Sequence, residues 1–253
     1  MTSSQAHFSV RLAQTSEDLR AAQALRYDVF VRELGAGGEM VDHVEGLERD
    51  RFDDHVDHML LIDDAVGRVV GVYRLLQQQQ AEALGGFYSE GEYDLTPLKN
   101  SGRRLLELGR SCLARDYRGG IGMHHMWQGL ADYVHEREID VLFGTASFHG
   151  TDAQALAEPL TMLHLNHLAP PELRVRALEK HYQPMNLVAP DQLDRRRAMV
   201  AVPALIKAYL RLGGTVGDGA YVDHTFNTTD VCLILDTARM NDRSRRSLTG
   251  GAG

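Results

Sequence analysis

The spacing of apolar residues along the chain predicts alternating strands and helices. Strict alternation predicts a first strand at 8–12, and the spacing of Thr15 and Asp18 is typical of the start of a helix. Three polar stretches, 35–57, 76–100 and 170–197, are expected to form loops. The further predicted strands are 58–62, 69–75, 105–113, 141–148 and 231–235, and the further predicted helices are 123–134, 153–168 and 203–212.

One charged residue, Arg26, falls on the apolar face of the first predicted helix. At about 100° per residue it lies beside Ala22 and Phe30, on the face that also carries Leu25. A buried charge is costly unless an opposite charge pairs with it, so an inward Arg26 would mark a site. The alternative is an arginine whose aliphatic stem covers the core edge while its guanidinium reaches water.

Composition places the chain among ordinary globular proteins. Its 253 residues are 43% hydrophobic and 25% charged, which excludes disordered, collagen-like and disulfide-scaffold classes. Cys112 and Cys232 stand far apart without metal-ligand spacing, as suits a reducing compartment. The start lacks a signal pattern, and no apolar run approaches the roughly 18 to 20 residues that span a bilayer. We therefore expect a cytoplasmic protein.

The charges are unevenly distributed. The chain has 27 basic and 35 acidic residues, a net charge of -8, which argues against a general nucleic-acid binder. The acidic excess is concentrated between Glu39 and Asp64, whereas Arg103 to Arg118 is locally basic. The first segment would attract a cation and the second an anion; the alternative is that both are solvated surfaces.

The 12 histidines do not predict a metal site. The adjacent His124 and His125 fall on different sides of their helix, so they cannot bind one ion as an i, i+4 pair does, and no cysteine lies near. We expect no catalytic metal.

A glycine-containing loop links a predicted strand to a predicted helix. Its sequence, Arg118, Gly119, Gly120, Ile121 and Gly122, places backbone N–H groups and the positive end of a helix dipole where an anion can bind. A pyrophosphate or a phosphopantetheine arm would fit, and the absence of dinucleotide and nucleotide-triphosphate motifs favours acyl-thioester carriers. The alternative is a simple tight turn.

Several motifs occur in an order that resembles a known family. They are LRYDVF, DRFD, VYRLL, ELGRSCL, YRGGIG and PALIKAYLRLGG. Together they resemble the acyl-carrier-dependent branch of the GNAT-like acyltransferases, which includes the N-acyl-homoserine lactone synthases and the ornithine–acyl carrier protein N-acyltransferases. The second group is the more similar one, over nearly the whole chain. Ala36 stands where the lactone synthases carry a tryptophan, and Tyr117 departs from the loop that binds acetyl-CoA in the wider superfamily.

The resemblance implies an α/β, GNAT-like N-acyltransferase fold, a mixed and mostly antiparallel twisted sheet flanked by helices. We expect a single domain over 1–240, with a helical and loop insertion near 152–212 and a disordered tail at 241–253.

The implied reaction moves a 3-hydroxyacyl chain from acyl carrier protein to the α-amine of L-ornithine, giving lyso-ornithine lipid. The acyl-phosphopantetheine of the carrier is a substrate, and no cofactor is expected. The amphipathic product allows peripheral contact with the inner membrane. Two alternatives stay open: a homoserine lactone synthase that uses S-adenosylmethionine, and a noncatalytic module that binds acyl carriers or lipids.

Amine acylation needs a general base, and Glu107, a carboxylate in an apolar strand, is the candidate, with Arg110 as its catalytic neighbour. The alternative is that Glu107 pairs structurally with an arginine. Gly109 is expected to mark a bulge in this strand, and Cys112 is expected to be a buried thiol rather than a nucleophile.

The resemblance also implies binding roles. The acyl donor is assigned to Ser111, Arg118, Gly119, Gly120 and Gly122, and the acceptor to Arg26, Phe30, Asp50, Asp53 and Arg74. Carrier docking is assigned to Arg103, Arg104, Arg115 and Arg118, with Arg195, Arg196 and Arg197 as a second candidate.

Overall fold

Two groups of elements make up the fold in the computed structural model, which describes residues 7–39, 41–119 and 121–240. The described part of the first unit covers 7–39, 41–80, 108–119 and 121–138, and that of the second unit covers 81–107 and 139–240. Gly120 and the tail 241–253 lie outside the described residues, and the expected single domain stays a prediction.

The described strands are β1 Phe8–Leu12, β2 Val41–Asp42, β3 Leu47–Glu48, β4 Asp57–Asp63, β5 Arg68–Gln77, β6 Tyr93–Asp94, β7 Leu105–Leu113, β8 Val141–His149, β9 Arg176–Ala177, β10 Tyr182–Gln183, β11 Thr215–Val216, β12 Ala220–Asp223 and β13 Thr228–Asp236. The described α-helices are α1 Ser16–Arg26, α2 Gln78–Ala83, α3 Thr96–Lys99, α4 Gly122–Glu136, α5 Ala157–His167, α6 Arg195–Ala201 and α7 Ala204–Arg211.

In the first unit, an antiparallel sheet packs against helices. β1 pairs with β4 and β4 pairs with β5, both antiparallel. α1 begins where expected, because the Thr15 hydroxyl accepts the N–H of Asp18 at 3.2 Å, and it continues beyond Arg26 as a wider π-helix over Tyr27–Glu33. Gly129 of α4 has to be glycine, since a Cβ there would lie 2.4 Å from Cγ1 of Val10 in β1. This close approach seats α4 on the sheet.

In the second unit, β8, β13, β12 and β10 form an antiparallel series, and β11 also pairs with β13. The first residues of β7 join β8 in parallel, from Leu105 opposite Val141 to Glu107 opposite Phe143. A mixed, mostly antiparallel sheet with flanking helices confirms the predicted fold class.

The expected loops contain short elements that the apolar pattern did not predict. β2 and β3 form a two-stranded sheet within 35–57, and α2, β6 and α3 lie within 76–100. Strands of two residues are too short to show a period, and the glutamine-rich α2 has no apolar stripe. α5 also begins later than expected, at Ala157. No described helix is both long and apolar enough to cross a membrane.

Candidate active site

Three arginines and three carboxylates meet in the interior of the first unit. We call these six side chains the buried ion network: Arg26 of α1, Glu48 of β3, Asp50 and Asp53 of the segment that follows β3, Arg74 of β5 and Arg110 of β7. Their side chains range from fully buried at Arg26 to 12% exposed at Arg110.

The network is a closed ring in which every arginine touches two carboxylates. Arg26 donates from Nε to Glu48 and from Nη1 to Oδ1 of Asp53 at 2.8 Å. Arg74 donates from Nη1 to Oδ2 of Asp50 at 2.6 Å and to Oδ1 of Asp53 at 3.2 Å.

Arg110 closes the ring, with Nε 3.0 Å from Oε1 of Glu48 and Nη2 3.2 Å from Oδ2 of Asp50. The three positive charges therefore compensate the three negative charges directly, through contacts between the side chains.

This compensation determines the charge states. Burial by itself would raise the pKa of Asp53, but Arg26 and Arg74 outweigh it and lower that pKa to about 2. The pKa of Asp50 is likewise lowered, because Arg74 and Arg110 overcome its burial. The prediction that an inward Arg26 needs an opposite charge is confirmed, and the alternative of a guanidinium in water is wrong, since Arg26 is 0% exposed.

Neutral groups complete the hydrogen bonding. Gln23 donates from Nε2 to Oδ2 of Asp53 at 3.1 Å, and the backbone N–H of Phe52 donates to Oδ1 of Asp50 at 2.9 Å. Nη2 of Arg26 is buried without a hydrogen-bond partner among the described residues. Such a donor suits a water or a carboxylate oxygen.

Arg110 has a left-handed backbone conformation within strand β7, with φ +49°. This conformation costs a non-glycine residue about 1 to 2 kcal/mol, and its two buried ion pairs offset that cost. The bulge predicted at Gly109 stays a prediction, beside this left-handed backbone of Arg110.

The acceptor candidates divide into two groups. Four of them, Arg26, Asp50, Asp53 and Arg74, are members of the network, whereas Phe30 is half-buried against the apolar core around Leu25 and Val72. A cleft of about 350 Å³ is lined by both aspartates of the network and by Ser16, Glu17, Leu19, Arg20, Gln23, Arg49 and Asp54.

Glu17 and Asp54 add acidity to this cleft, since neither forms an ion pair among the described residues. Contact between the fully buried Arg26 and a ligand would require the ring to open. The acceptor roles stay predictions.

Glu107 lies in the second unit, where it anchors a turn. Its carboxylate accepts the backbone N–H of Tyr88 at 2.8 Å, the backbone N–H of Ser89 at 2.7 Å and the Ser89 hydroxyl. Phe87, which precedes these residues, packs edge-on against Phe143 with ring centroids 5.0 Å apart. Glu107 is 3% exposed and is fixed in orientation. Ser89 was not found from the sequence because it lies in a polar stretch without a motif.

The predicted donor loop has the expected placement before α4. Arg118 is bound locally, with Nη1 2.8 Å from Glu33 and Nε donating to the carbonyl of Leu113 at 2.9 Å. Gly119 has φ +75°, which favours glycine. No side chain caps the start of α4 at Gly122 among the described residues, and Ser111 on β7 is half-buried. Donor binding by this loop stays a prediction.

The candidate docking arginines differ in their surroundings. Arg103 is ion-paired with Asp236 at 2.7 Å, and Arg197 at the start of α6 is paired with Glu158. Arg104 and Arg115 are exposed, as are Arg195 and Arg196 beside Arg197.

Cys112 is a poor nucleophile in this setting. It is 7% exposed in the core of the first unit, and burial raises the pKa of its thiol to about 12. The expectation that this thiol is buried is confirmed, and the expectation that it is not the nucleophile stays a prediction.

Known proteins are similar to this chain in sequence and in fold. Residues 25–128 match the family model described as Acetyltransferase (GNAT) domain. An L-ornithine N(alpha)-acyltransferase of Rhodobacter capsulatus is 55% identical over 96% of this chain and 95% of its own length. One of Brucella abortus is 44% identical over 92% of this chain and 86% of its own.

The solved structure of an N-acyl amino acid synthase from uncultured soil microbes is similar, with a TM-score of 0.55 and 12% identity, over 98% of this chain and 97% of that one.

The family-model match and the two named relatives together define a GNAT acyltransferase. At these identities over nearly its whole length, the chain belongs to the L-ornithine N(alpha)-acyltransferase family.

The charge state of Asp53 predicts how stability depends on pH. Its folded pKa of about 2 is below the unfolded value of about 3.9, so its contribution of about 2 to 3 kcal/mol is present above about pH 4 and is lost as pH falls through about 2. Asp53→Asn should lower the free energy of unfolding at pH 7 and flatten its fall between about pH 4 and pH 2, as measured by urea unfolding.

The control is Asp28→Asn, which removes an exposed ion pair with Arg32 and should keep the wild-type pH dependence. Equal losses of stability on acidification in the wild type and Asp53→Asn would contradict the assigned role of Asp53.

Proposed function

We propose that this protein transfers a 3-hydroxyacyl chain from acyl carrier protein to the α-amine of L-ornithine, giving lyso-ornithine lipid. The observation that carries the proposal is the 55% identity, over 96% of the chain, with a relative named L-ornithine N(alpha)-acyltransferase. Similarity at this level over the full length makes a shared acceptor and a shared reaction the best-supported function. Product release at the inner membrane, by peripheral contact, is part of the proposal.

The acceptor is a small dication with one carboxylate. The cleft beside the buried ion network supports its binding, because Glu17 and Asp54 add negative charge to a wall that already contains Asp50 and Asp53. We assign the ornithine side-chain ammonium to this acidic cleft. The arginines of the network then act mainly by holding the two aspartates in place.

The chemistry begins with removal of a proton from the α-ammonium, since the protonated amine has no lone pair. Glu107 takes this proton, directly or through a water. The amine nitrogen then attacks the thioester carbonyl carbon, and the tetrahedral intermediate collapses with cleavage of the C–S bond. The leaving thiolate of phosphopantetheine takes the proton lost by the new amide nitrogen, so that charge and atoms balance.

The irregularity at Arg110 supports stabilisation of the developing oxyanion. A strand residue with φ +49° turns neighbouring backbone N–H groups out of the regular ladder, where one can donate to a carbonyl oxygen. The donor thioester is assigned to Ser111 and to the loop of Arg118, Gly119, Gly120 and Gly122. The exposed Arg104 and Arg115, with the ion-paired Arg103 and Arg118, are assigned to the acidic carrier protein.

The reaction is tested directly with purified protein, 3-hydroxyacyl carrier protein and a panel of amines. Ornithine should be acylated on its α-amine, with one free thiol released per product, as measured by mass spectrometry and a thiol reagent. Lysine, which is one methylene longer, is the matched control and should react more slowly. A homoserine lactone formed from S-adenosylmethionine, or no turnover with any amine, would contradict the proposal.

Two substitutions on β7 separate direct transfer from a covalent acyl-enzyme. Glu107→Gln keeps the shape of the side chain but removes the base, and loss of a general base lowers the rate by about 10² to 10⁴. Cys112→Ala should keep substantial turnover, since burial raises the pKa of this thiol to about 12. The measurement is kcat for ornithine acylation in variants whose circular dichroism matches the wild type.

The opposite pattern would overturn direct transfer. It consists of near-native kcat in Glu107→Gln, no turnover in Cys112→Ala, and an acyl adduct trapped on the wild-type thiol.

A further inference from the structure

Three carboxylates that are far apart in the sequence converge in the second unit. Glu92 precedes β6, Asp223 ends β12, and Asp230 lies in β13. One oxygen of each lies within 4.8 Å of an oxygen of the other two. This cluster, Glu92, Asp223 and Asp230, is separate from the residues assigned to acyl transfer.

The backbone holds all three residues in place. Asp230 is paired across the sheet with Tyr221 of β12 and Ser147 of β8. Oδ1 of Asp223 accepts the backbone N–H of Thr225 at 2.7 Å, which fixes the turn after β12.

The segment that carries Glu92 is tied to the same sheet. The hydroxyl of Tyr93, the next residue, donates to the carbonyl of Asp230 at 2.9 Å and to the carbonyl of Gly219 at 3.0 Å. The convergence of the carboxylates is therefore built into the sheet and does not depend on mobile side chains.

One oxygen of the cluster is buried and has no partner. Asp230 is 5% exposed, and its Oδ2 accepts from the Thr228 hydroxyl at 3.2 Å. Its other oxygen, Oδ1, is without a hydrogen bond among the described residues. Neither Asp223 nor Asp230 forms an ion pair within the described ranges.

A buried carboxylate beside two others is costly unless a positive charge or a proton compensates it.

The atoms of the cluster that could coordinate an ion indicate which kind of ion would bind. Oxygen ligands without histidine or cysteine favour hard divalent cations over zinc or copper. Ca²⁺ accepts about six to eight oxygen ligands in a flexible geometry, whereas Mg²⁺ demands a near-ideal octahedron and keeps several waters.

An ammonium ion carries a single positive charge and would therefore compensate three converging carboxylates less well than a divalent cation does. We propose that Glu92, Asp223 and Asp230 bind a divalent cation, with Ca²⁺ preferred over Mg²⁺ because its coordination geometry is the more flexible.

The cation would have a structural role. It would join the segment of Glu92 to the hairpin of β12 and β13, and that segment directly follows the turn whose backbone binds Glu107. Asp223 is half-buried, so an ion can enter from its side.

The test uses the full-length protein, stripped with a chelator and then titrated with CaCl₂, MgCl₂ or putrescine. Thermal unfolding is followed by fluorescence, and Ca²⁺ binding is followed by calorimetry. We expect a saturable rise in Tm with Ca²⁺ at a stoichiometry of one, a smaller rise with Mg²⁺ and none with putrescine.

Asp230→Asn should weaken Ca²⁺ binding by about tenfold or more, because affinity follows the number of charged ligands. Its Tm without metal should equal or exceed that of the wild type, since repulsion is relieved. Asp223→Asn should weaken Ca²⁺ binding similarly, and its amide oxygen can still accept the backbone N–H of Thr225. It provides a second variant if Asp230→Asn does not fold. Asp191→Asn, at an exposed acid of the same unit, should bind Ca²⁺ as the wild type does.

Three results would overturn the proposal. The first is the absence of a saturable Ca²⁺ effect, and the second is unchanged Ca²⁺ binding in both cluster variants. The third is a Tm that responds to putrescine without responding to Ca²⁺.

Discussion

The first unit depends on mutual neutralisation of three arginines by three carboxylates, all of them buried or partly buried. An arginine that is 0% exposed would cost several kcal/mol in isolation. The ring removes this cost because each guanidinium binds two carboxylates and each carboxylate binds two guanidiniums. The arrangement has to be complete to be stable, since removal of any member leaves a buried charge without its full compensation.

The ring also links elements that are distant in sequence. Arg26 comes from α1, Glu48 from a two-residue strand, Arg74 from β5 and Arg110 from β7. Its closure therefore fixes the acidic segment of Asp50 and Asp53 against the sheet, and it holds the left-handed backbone of Arg110 within β7. In our account, acyl transfer needs this fixed geometry at two places, the acidic cleft for the acceptor and the irregular strand for the oxyanion.

Helices and strands that follow from the periodicity of apolar residues could be predicted from the sequence. Contacts between residues that are far apart in the sequence could not. Arg26 was identified because helical periodicity places it on an apolar face, and β4, β5, β7 and β8 follow from apolar runs. Glu48 was not identified, because a single acid in an acidic stretch carries no periodic signal and β3 has two residues. The cluster of Glu92, Asp223 and Asp230 was likewise invisible, since the pairing of β12 with β13 and the hydrogen bonds of Tyr93 bring it together. Ser89 is a similar case, because its role depends on Glu107 of another element.

The account is tested most directly by Glu48→Gln, with Glu45→Gln as its control. Glu48 bridges Arg26 and Arg110 in the interior, whereas Glu45 pairs with Arg20 at the surface. Glu48→Gln keeps the side-chain volume and leaves the arginines undercompensated. It should lower the free energy of unfolding by about 3 to 5 kcal/mol, and it should reduce kcat/KM for ornithine acylation by more than about tenfold at temperatures where it stays folded. Glu45→Gln should change stability by less than about 1 kcal/mol. A Glu48→Gln variant with native stability and native kcat/KM would contradict the account.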